Sequence, residues 1–272
     1  MAKVAVHGAA GRMGRQVLSR VLEAPDLQLV AALDRVGSPH VGTDAGTLAG
    51  RSECGVKVTT ELGDLGGADV VIDFSSPDAF VALLASCDAA VVSGTTGTGA
   101  DGEAAVAAAS ARIPVLVAAN FSVGVAVLTH LAARAAVLLP DAEIELVESH
   151  HHGKVDAPSG TALAVAGAMA SARGDVLSDV AAHGRVGHAP RTSSREIGVH
   201  ALRLGGVVGE HTVYLGLASE RVTLGHVAED RGVFAEGSLR AARWVVGRDP
   251  GRYAMSDVLG LGVGSVATGD GA

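Results

Sequence analysis

Lys3-Val4-Ala5-Val6-His7-Gly8-Ala9-Ala10-Gly11-Arg12-Met13-Gly14 is the stretch from which the fold is read. A short Val-rich run predicts a buried strand, and the mixed apolar pattern over residues 12–23 predicts a helix. Between them the glycines stand as G-x-x-G-x-x-G. Small residues let the backbone come close to a pyrophosphate, and amides at the helix start meet its charge. A glycine turn that merely packs a helix on a sheet would use the same residues. Asp34 tips the reading toward a dinucleotide. It closes the second apolar run twenty residues after Gly14, where a carboxylate can accept hydrogen bonds from an adenosine ribose. Arg35 follows it, either pairing with a 2′-phosphate or standing solvated on the surface. The site is thus read as taking NADH and/or NADPH.

Working outward, residues 28–33, 69–74, 89–93 and 114–118 read as further buried strands, with 56–59 as one more short strand. Residues 77–86 and 101–112 read as helices between them. Strands alternating with helices indicate βαβ units, hence an α/β fold with a Rossmann-like, doubly wound parallel sheet. Gly94-Thr95-Thr96-Gly97 and Ala118-Ala119-Asn120-Phe121 follow two of these strands. Open α/β sheets bind ligands at the carboxyl ends of their strands, so both loops are read as contacts to cofactor or substrate.

Beyond residue 120 the pattern changes. Residues 125–139 read as a helix and 143–149 as extended. A helix over 158–173 is begun by Asp156 or Ser159 as N-cap, with Pro158 in its first turn. Strands follow at 197–204, 208–217 and 221–228, the first two joined by a hairpin-like turn at Gly205-Gly206. Residues 238–246 return to helix, and 262–272 read as a frayed tail. The expected organisation is a dinucleotide-binding domain over 1–121, completed by 231–272. A C-terminal α+β domain with a mixed sheet occupies 122–230.

Composition narrows the function classes. The chain has 272 residues, 48% of them hydrophobic but only 3% aromatic, so Ala, Val and Leu must build the core. A net charge of −8 argues against a nucleic-acid surface. No apolar run approaches the roughly 20 residues of a membrane span. The N-terminus lacks the apolar core of a signal peptide. Cys54 and Cys87 are too few for a disulfide framework. A reduced, cytoplasmic globular protein is expected.

Glu148-Ser149-His150-His151-His152-Gly153-Lys154 runs directly into Val155-Asp156-Ala157-Pro158-Ser159-Gly160-Thr161. Imidazoles and an ammonium beside a helix start form a receptor for a carboxylated substrate, and histidine exchanges protons near neutral pH. Zinc is the rival. In extended chain, neighbouring side chains point to opposite faces, so consecutive histidines converge poorly on one ion. No metal is expected.

Taken with Asn120-Phe121-Ser122-Val123-Gly124, Gly209-Glu210-His211-Thr212 and the segment around Arg240–Trp244, these motifs resemble the dihydrodipicolinate reductase family. The resemblance spans nearly the whole chain, and the block from His150 to Thr161 is its specific part. It implies NAD(P)H-dependent reduction of dehydrated 4-hydroxy-tetrahydrodipicolinate in diaminopimelate and lysine biosynthesis. By matching positions, Gly8, Ala9, Ala10, Gly11, Arg12 and Met13 cradle the pyrophosphate, with Asp34 on the ribose. Gly94, Thr95, Thr96, Ala118, Ala119, Asn120 and Phe121 border the nicotinamide. His150 and Lys154 handle the proton, while His151, Gly160 and Thr161 hold substrate carboxylates. A homotetramer built through the second domain is implied as well. His152 receives no role.

Overall fold

Each glycine-bounded Val run becomes a strand, and the Ala-rich segments between them become helices. The computed structural model describes residues 1–65 and 67–261; the tail expected at 262–272 lies outside the described residues. Its first elements are β1 (Ala2–His7), α1 (Arg12–Glu23), β2 (Leu27–Leu33), α2 (Ala45–Leu48), β3 (Val58–Thr59), β4 (Val70–Asp73) and α3 (Pro77–Ser86). Then come β5 (Ala90–Ser93), α4 (Gly99–Ser110), β6 (Pro114–Val117), α5 (Val123–Leu138), β7 (Glu143–His150), α6 (Gly160–Ala172) and α7 (Leu177–Val180). The last are β8 (Ala181–His183), β9 (Ile197–Arg203), β10 (Gly209–Gly216), β11 (Arg221–Ala228), α8 (Gly232–Val245), β12 (Gly251–Tyr253) and α9 (Met255–Val258). No described helix is long and apolar enough to cross a membrane.

The chain divides into two compact units. The first holds residues 1–122 and the chain from Gly232 onward. Among the described residues its sheet has the order β12-β6-β5-β4-β1-β2-β3, with every pairing parallel. Strands buried on both faces need continuous apolar runs, which Val70-Val71-Ile72 and Val91-Val92 supply at 0% exposure. Ala5, Val71, Val91 and Val115 pack against α3 and α4 through Phe80, Leu83 and Val106. On the other side α8 packs on β4, β5, β6 and α1. That helix begins at Gly232, six residues before the position expected from sequence. Within it, Gly237 marks a close approach: a Cβ there would collide with the Phe121 carbonyl. The three-residue β12 escapes a periodicity argument altogether, being too short to show one.

The second unit is Val123–Arg231, with sheet order β11-β10-β7-β9-β8. β7 runs parallel to β9 and antiparallel to β10, so the sheet is mixed. Ile144, Leu146, Val199, Val213 and Leu215 form one core with Ala162, Val165 and Met169 of α6. The expected hairpin at Gly205-Gly206 does not form, because β7 lies between β9 and β10 and pairs with both. Its apolar face takes the central place in the sheet. The glycine turn instead passes the end of β7, where Leu204 N–H donates to the His150 carbonyl (2.9 Å) and His152 N–H to that of Gly205 (3.3 Å). At α6, Ser159 is the N-cap, its hydroxyl accepting from Ala162 N–H at 3.1 Å. Asp156 and Pro158 both precede the helix.

Candidate active site

In the first unit the expected cofactor residues gather at the carboxyl ends of adjacent parallel strands. Gly8, Ala9, Ala10, Gly11, Arg12 and Met13 follow β1, Asp34 and Arg35 follow β2, Gly94, Thr95 and Thr96 follow β5, and Ala118, Ala119, Asn120 and Phe121 follow β6. Gly8 has φ +76°, and a Cβ on it would strike the Phe74 carbonyl; a Cβ on Gly14 would strike the Gly8 carbonyl. A side chain at either position would push the loop out of its packing on β4 and α1. The N-cap of α1, Gly11, offers no side-chain hydrogen bond, so the first amides of this helix stay available to an anion. Asp34 is half-buried and Arg35 exposed. The residues present fit a dinucleotide.

Beneath Thr95 lies a network that sequence reasoning missed. Asp73 is fully buried and receives hydrogen bonds from Ser93 Oγ (2.6 Å) and Thr95 Oγ1 (2.7 Å), with His7 Nδ1 at 2.8 Å. Burial acts to raise the Asp73 carboxyl, but the His7 contact and the hydroxyl donors outweigh it and hold the group below its ordinary range. The carboxylate fixes the Thr95 hydroxyl, which in turn accepts from Ser75 N–H at 3.1 Å. An Asp closing a strand looks like any strand-ending polar residue, so the sequence carries no signal for this pairing.

In the second unit β7 ends at His150, and the chain turns sharply afterwards. His150 and Glu148 share the strand face that carries Leu146 and Ile144, as the two-residue period requires. Glu148 is buried, with its Oε2 2.5 Å from His150 Nδ1. Arg203 donates to both carboxylate oxygens at 2.9 and 3.0 Å, and Ser159 N–H donates at 3.0 Å. Burial works against the charge on Glu148, but these donors prevail and hold its carboxyl below the usual range. His211 meets the His150 ring edge-on at 5.4 Å between centroids. Burial and the nearby imidazoles of His150 and His226 push His211 down to about 4. Neither Glu148, Arg203 nor His211 stands out in the sequence by residue type alone; register brings them together.

Lys154 Nζ holds both oxygens of Asp156 at 2.7 and 2.8 Å. That contact lowers the Asp156 carboxyl most, and the Gly160 amide lowers it further. Gly160 and Thr161 open α6. His151 is half-buried, and partial desolvation followed by the cations Arg231, His150, His152 and Lys154 lowers its pKa. His152 is exposed and turned to the Gly205 carbonyl, 3.0 Å from its Nδ1. The three histidines thus part company, and among the described residues no group of three or more His, Cys, Asp or Glu is placed to hold a metal ion.

Known proteins are similar to this chain over both units. The family model described as dihydrodipicolinate reductase, N-terminus, matches residues 2–121, and that described as the C-terminus matches 124–259. A protein of Alkalilimnicola ehrlichii named 4-hydroxy-tetrahydrodipicolinate reductase is 47% identical over 264 residues, covering 95% of this chain and 99% of its own. One of Anaeromyxobacter dehalogenans with the same name is 47% identical over 266 residues, covering 96% and 98%. The dipicolinate-bound dihydrodipicolinate reductase from Paenisporosarcina sp. TG-14 is similar in structure, with a TM-score of 0.74 at 25% identity over 93% of this chain and 97% of that one.

Proposed function

As the chain belongs to the dihydrodipicolinate reductase family and is a pyridine-nucleotide-dependent oxidoreductase, we propose that it reduces dehydrated 4-hydroxy-tetrahydrodipicolinate to tetrahydrodipicolinate in diaminopimelate and lysine biosynthesis. Carboxylate recognition in the second unit carries this reading. Lys154 and the Gly160 amide already hold one carboxylate, that of Asp156, at the start of a helix whose amides favour an anion. The solved relative was obtained with dipicolinate, a flat dicarboxylate, bound.

When bound, NADH or NADPH supplies the hydride. The first unit serves the nucleotide. Gly8 through Met13 hold the pyrophosphate, Asp34 accepts from the ribose hydroxyls, and Arg35 faces a 2′-phosphate where one is present. Gly94, Thr95, Thr96 and the run Ala118 to Phe121 border the nicotinamide, with the Thr95 hydroxyl oriented by Asp73. The second unit serves the substrate and assembly into a homotetramer. His151, Gly160 and Thr161 anchor the two carboxylates, while His150 and Lys154 deliver the proton that the reduced, electron-rich ring must gain. Preformed cations stabilise the dianion and the charge that develops on it. Cytoplasmic residence belongs to the same reading.

The test is nucleotide oxidation, followed by absorbance, with enzymatically generated dihydrodipicolinate. Turnover with this substrate, inhibited by pyridine-2,6-dicarboxylate, is the expected result. Turnover only with other imino acids would overturn the substrate, and nucleotide binding without turnover would overturn the activity.

A further inference from the structure

Resting on the proposed reaction, the geometry points to Glu148 as a positioning residue for it: held as a carboxylate by Arg203, it fixes His150 with Nδ1–H directed at itself and leaves Nε2 for proton transfer. A carboxylate can only accept hydrogen bonds. With Glu148 Oε2 2.5 Å from His150 Nδ1, that nitrogen must carry the hydrogen. Three further donors, two from Arg203 and the Ser159 amide, fill the remaining acceptor sites of Glu148. The carboxylate therefore cannot rotate away without breaking all of them.

The surroundings of the imidazole support a fixed ring. Its side chain is 11% exposed, and that of Glu148 is 0% exposed. Glu148 lies on the same strand, Arg203 comes from β9, His211 from β10, and His226 of β11 stands behind His211 at 6.2 Å between ring centroids. Of these, Glu148 and Arg203 form a net neutral, bidentate pair. Beside the ring, Gly209 of β10 leaves room at Nε2 that a side chain would take: a Cβ at this position would lie 3.2 Å from that nitrogen. Ring plane and tautomer are set by groups beyond the proton-transferring pair.

In the step itself, the enamine carbon takes a proton from Nε2–H of the imidazolium, the C=C π electrons of the enamine forming the new C–H bond. The N–H bonding pair stays on Nε2, leaving the neutral Nδ1–H form that Glu148 prefers. Carboxylate charge also stabilises the imidazolium before transfer. Glu148 acts through His150 without needing to touch the substrate.

Two measurements decide it. In ¹⁵N-imidazole spectra, with His150 assigned by its loss in His150→Gln, neutral His150 of the wild-type protein is expected as the Nδ1–H tautomer. Finding the Nε2–H tautomer would overturn the proposal without any appeal to a variant. In Glu148→Gln, which keeps shape but loses charge, the neutral His150 ring is expected to populate the Nε2–H tautomer as well. The same variant should lower kcat about tenfold, with KM within about threefold. An unchanged tautomer together with an unchanged kcat would overturn it. If Glu148→Gln does not fold, the wild-type tautomer decides. If wild-type protein does not turn over dihydrodipicolinate, the proposed reaction falls, while the tautomer still reports whether Glu148 positions His150.

Discussion

His150 ends a strand, whereas His151 begins a turn, and this one-residue difference separates their expected kinetic effects. Groups that deliver a proton act on the transition state, so His150→Gln and Lys154→Ala should each lower kcat by about 10²-fold or more. Steady-state kinetics with wild-type rates in both variants would remove the site assignment. His151→Ala should instead raise KM with a smaller change in kcat, as expected of an anchor. Arg35 is exposed beside Asp34, so Arg35→Ala should weaken NADPH more than NADH in a fluorescence titration; equal losses would take it out of the phosphate site. His211 makes a prediction about stability. It sits at about 4 in the fold against an ordinary 6.5. Above pH 6.5 it is neutral both folded and unfolded and contributes no pH dependence. As pH falls from about 6.5 to about 4, the unfolded chain takes up a proton that the folded chain refuses. Stability is therefore lost across that window, by on the order of 3 kcal/mol in full. Urea unfolding at pH 7 and pH 5 should show a larger drop for wild type than for His211→Asn; equal drops would contradict the shift.

The loop joining β1 to α1 shows what one backbone position contributes to a whole element. Gly8 combines φ +76° with a close approach to the Phe74 carbonyl, whereas Gly42 has φ +82° with open space around its Cα. Alanine at either site meets left-handed backbone strain of roughly 1–2 kcal/mol, but only Gly8→Ala also disturbs the phosphate cradle. We expect both variants to melt lower and only Gly8→Ala to lose NADH affinity, by about tenfold or more. Retained affinity in Gly8→Ala would show that the loop does not need this approach. Legibility follows the same division. Val4 to Gly14 could be read because strand, turn and helix each use their own residue types there. His150 and Lys154 stand out as candidates because they are concentrated in a short stretch. Pairings across the sheets could not be read: Arg203 meets Glu148 only because β9 lies beside β7, and Gly205-Gly206 reads as a hairpin only while that neighbour is out of view. The network of Asp73 was hidden for the same reason, since its partners come from three separate strands and loops.

For the whole molecule, the five-stranded sheet poses the question of what covers its second face. One face is closed by the core shared with α6. The alternate positions, Val147 on β7, Leu202 on β9, Tyr214 on β10 and Val227 on β11, fall on the other face, with Leu202 48% and Val227 60% exposed. Among the described residues β11 is also an eight-residue edge strand, paired on one side only. Long edges and apolar sheet faces invite association, and proteins that keep them normally cover them. Assembly through this surface removes both liabilities at once, and a closed symmetric assembly stops growth at a fixed size. With the homotetramer proposed above, multi-angle light scattering is expected to return four chain masses at micromolar concentration. Leu202→Glu combined with Val227→Glu should shift the protein to smaller species, because like charges would then be buried against one another. Nucleotide affinity should survive in that variant, since both substitutions lie in the second unit. A stable wild-type monomer would refute the tetramer, and an intact tetramer in the double variant would move its interface to another surface.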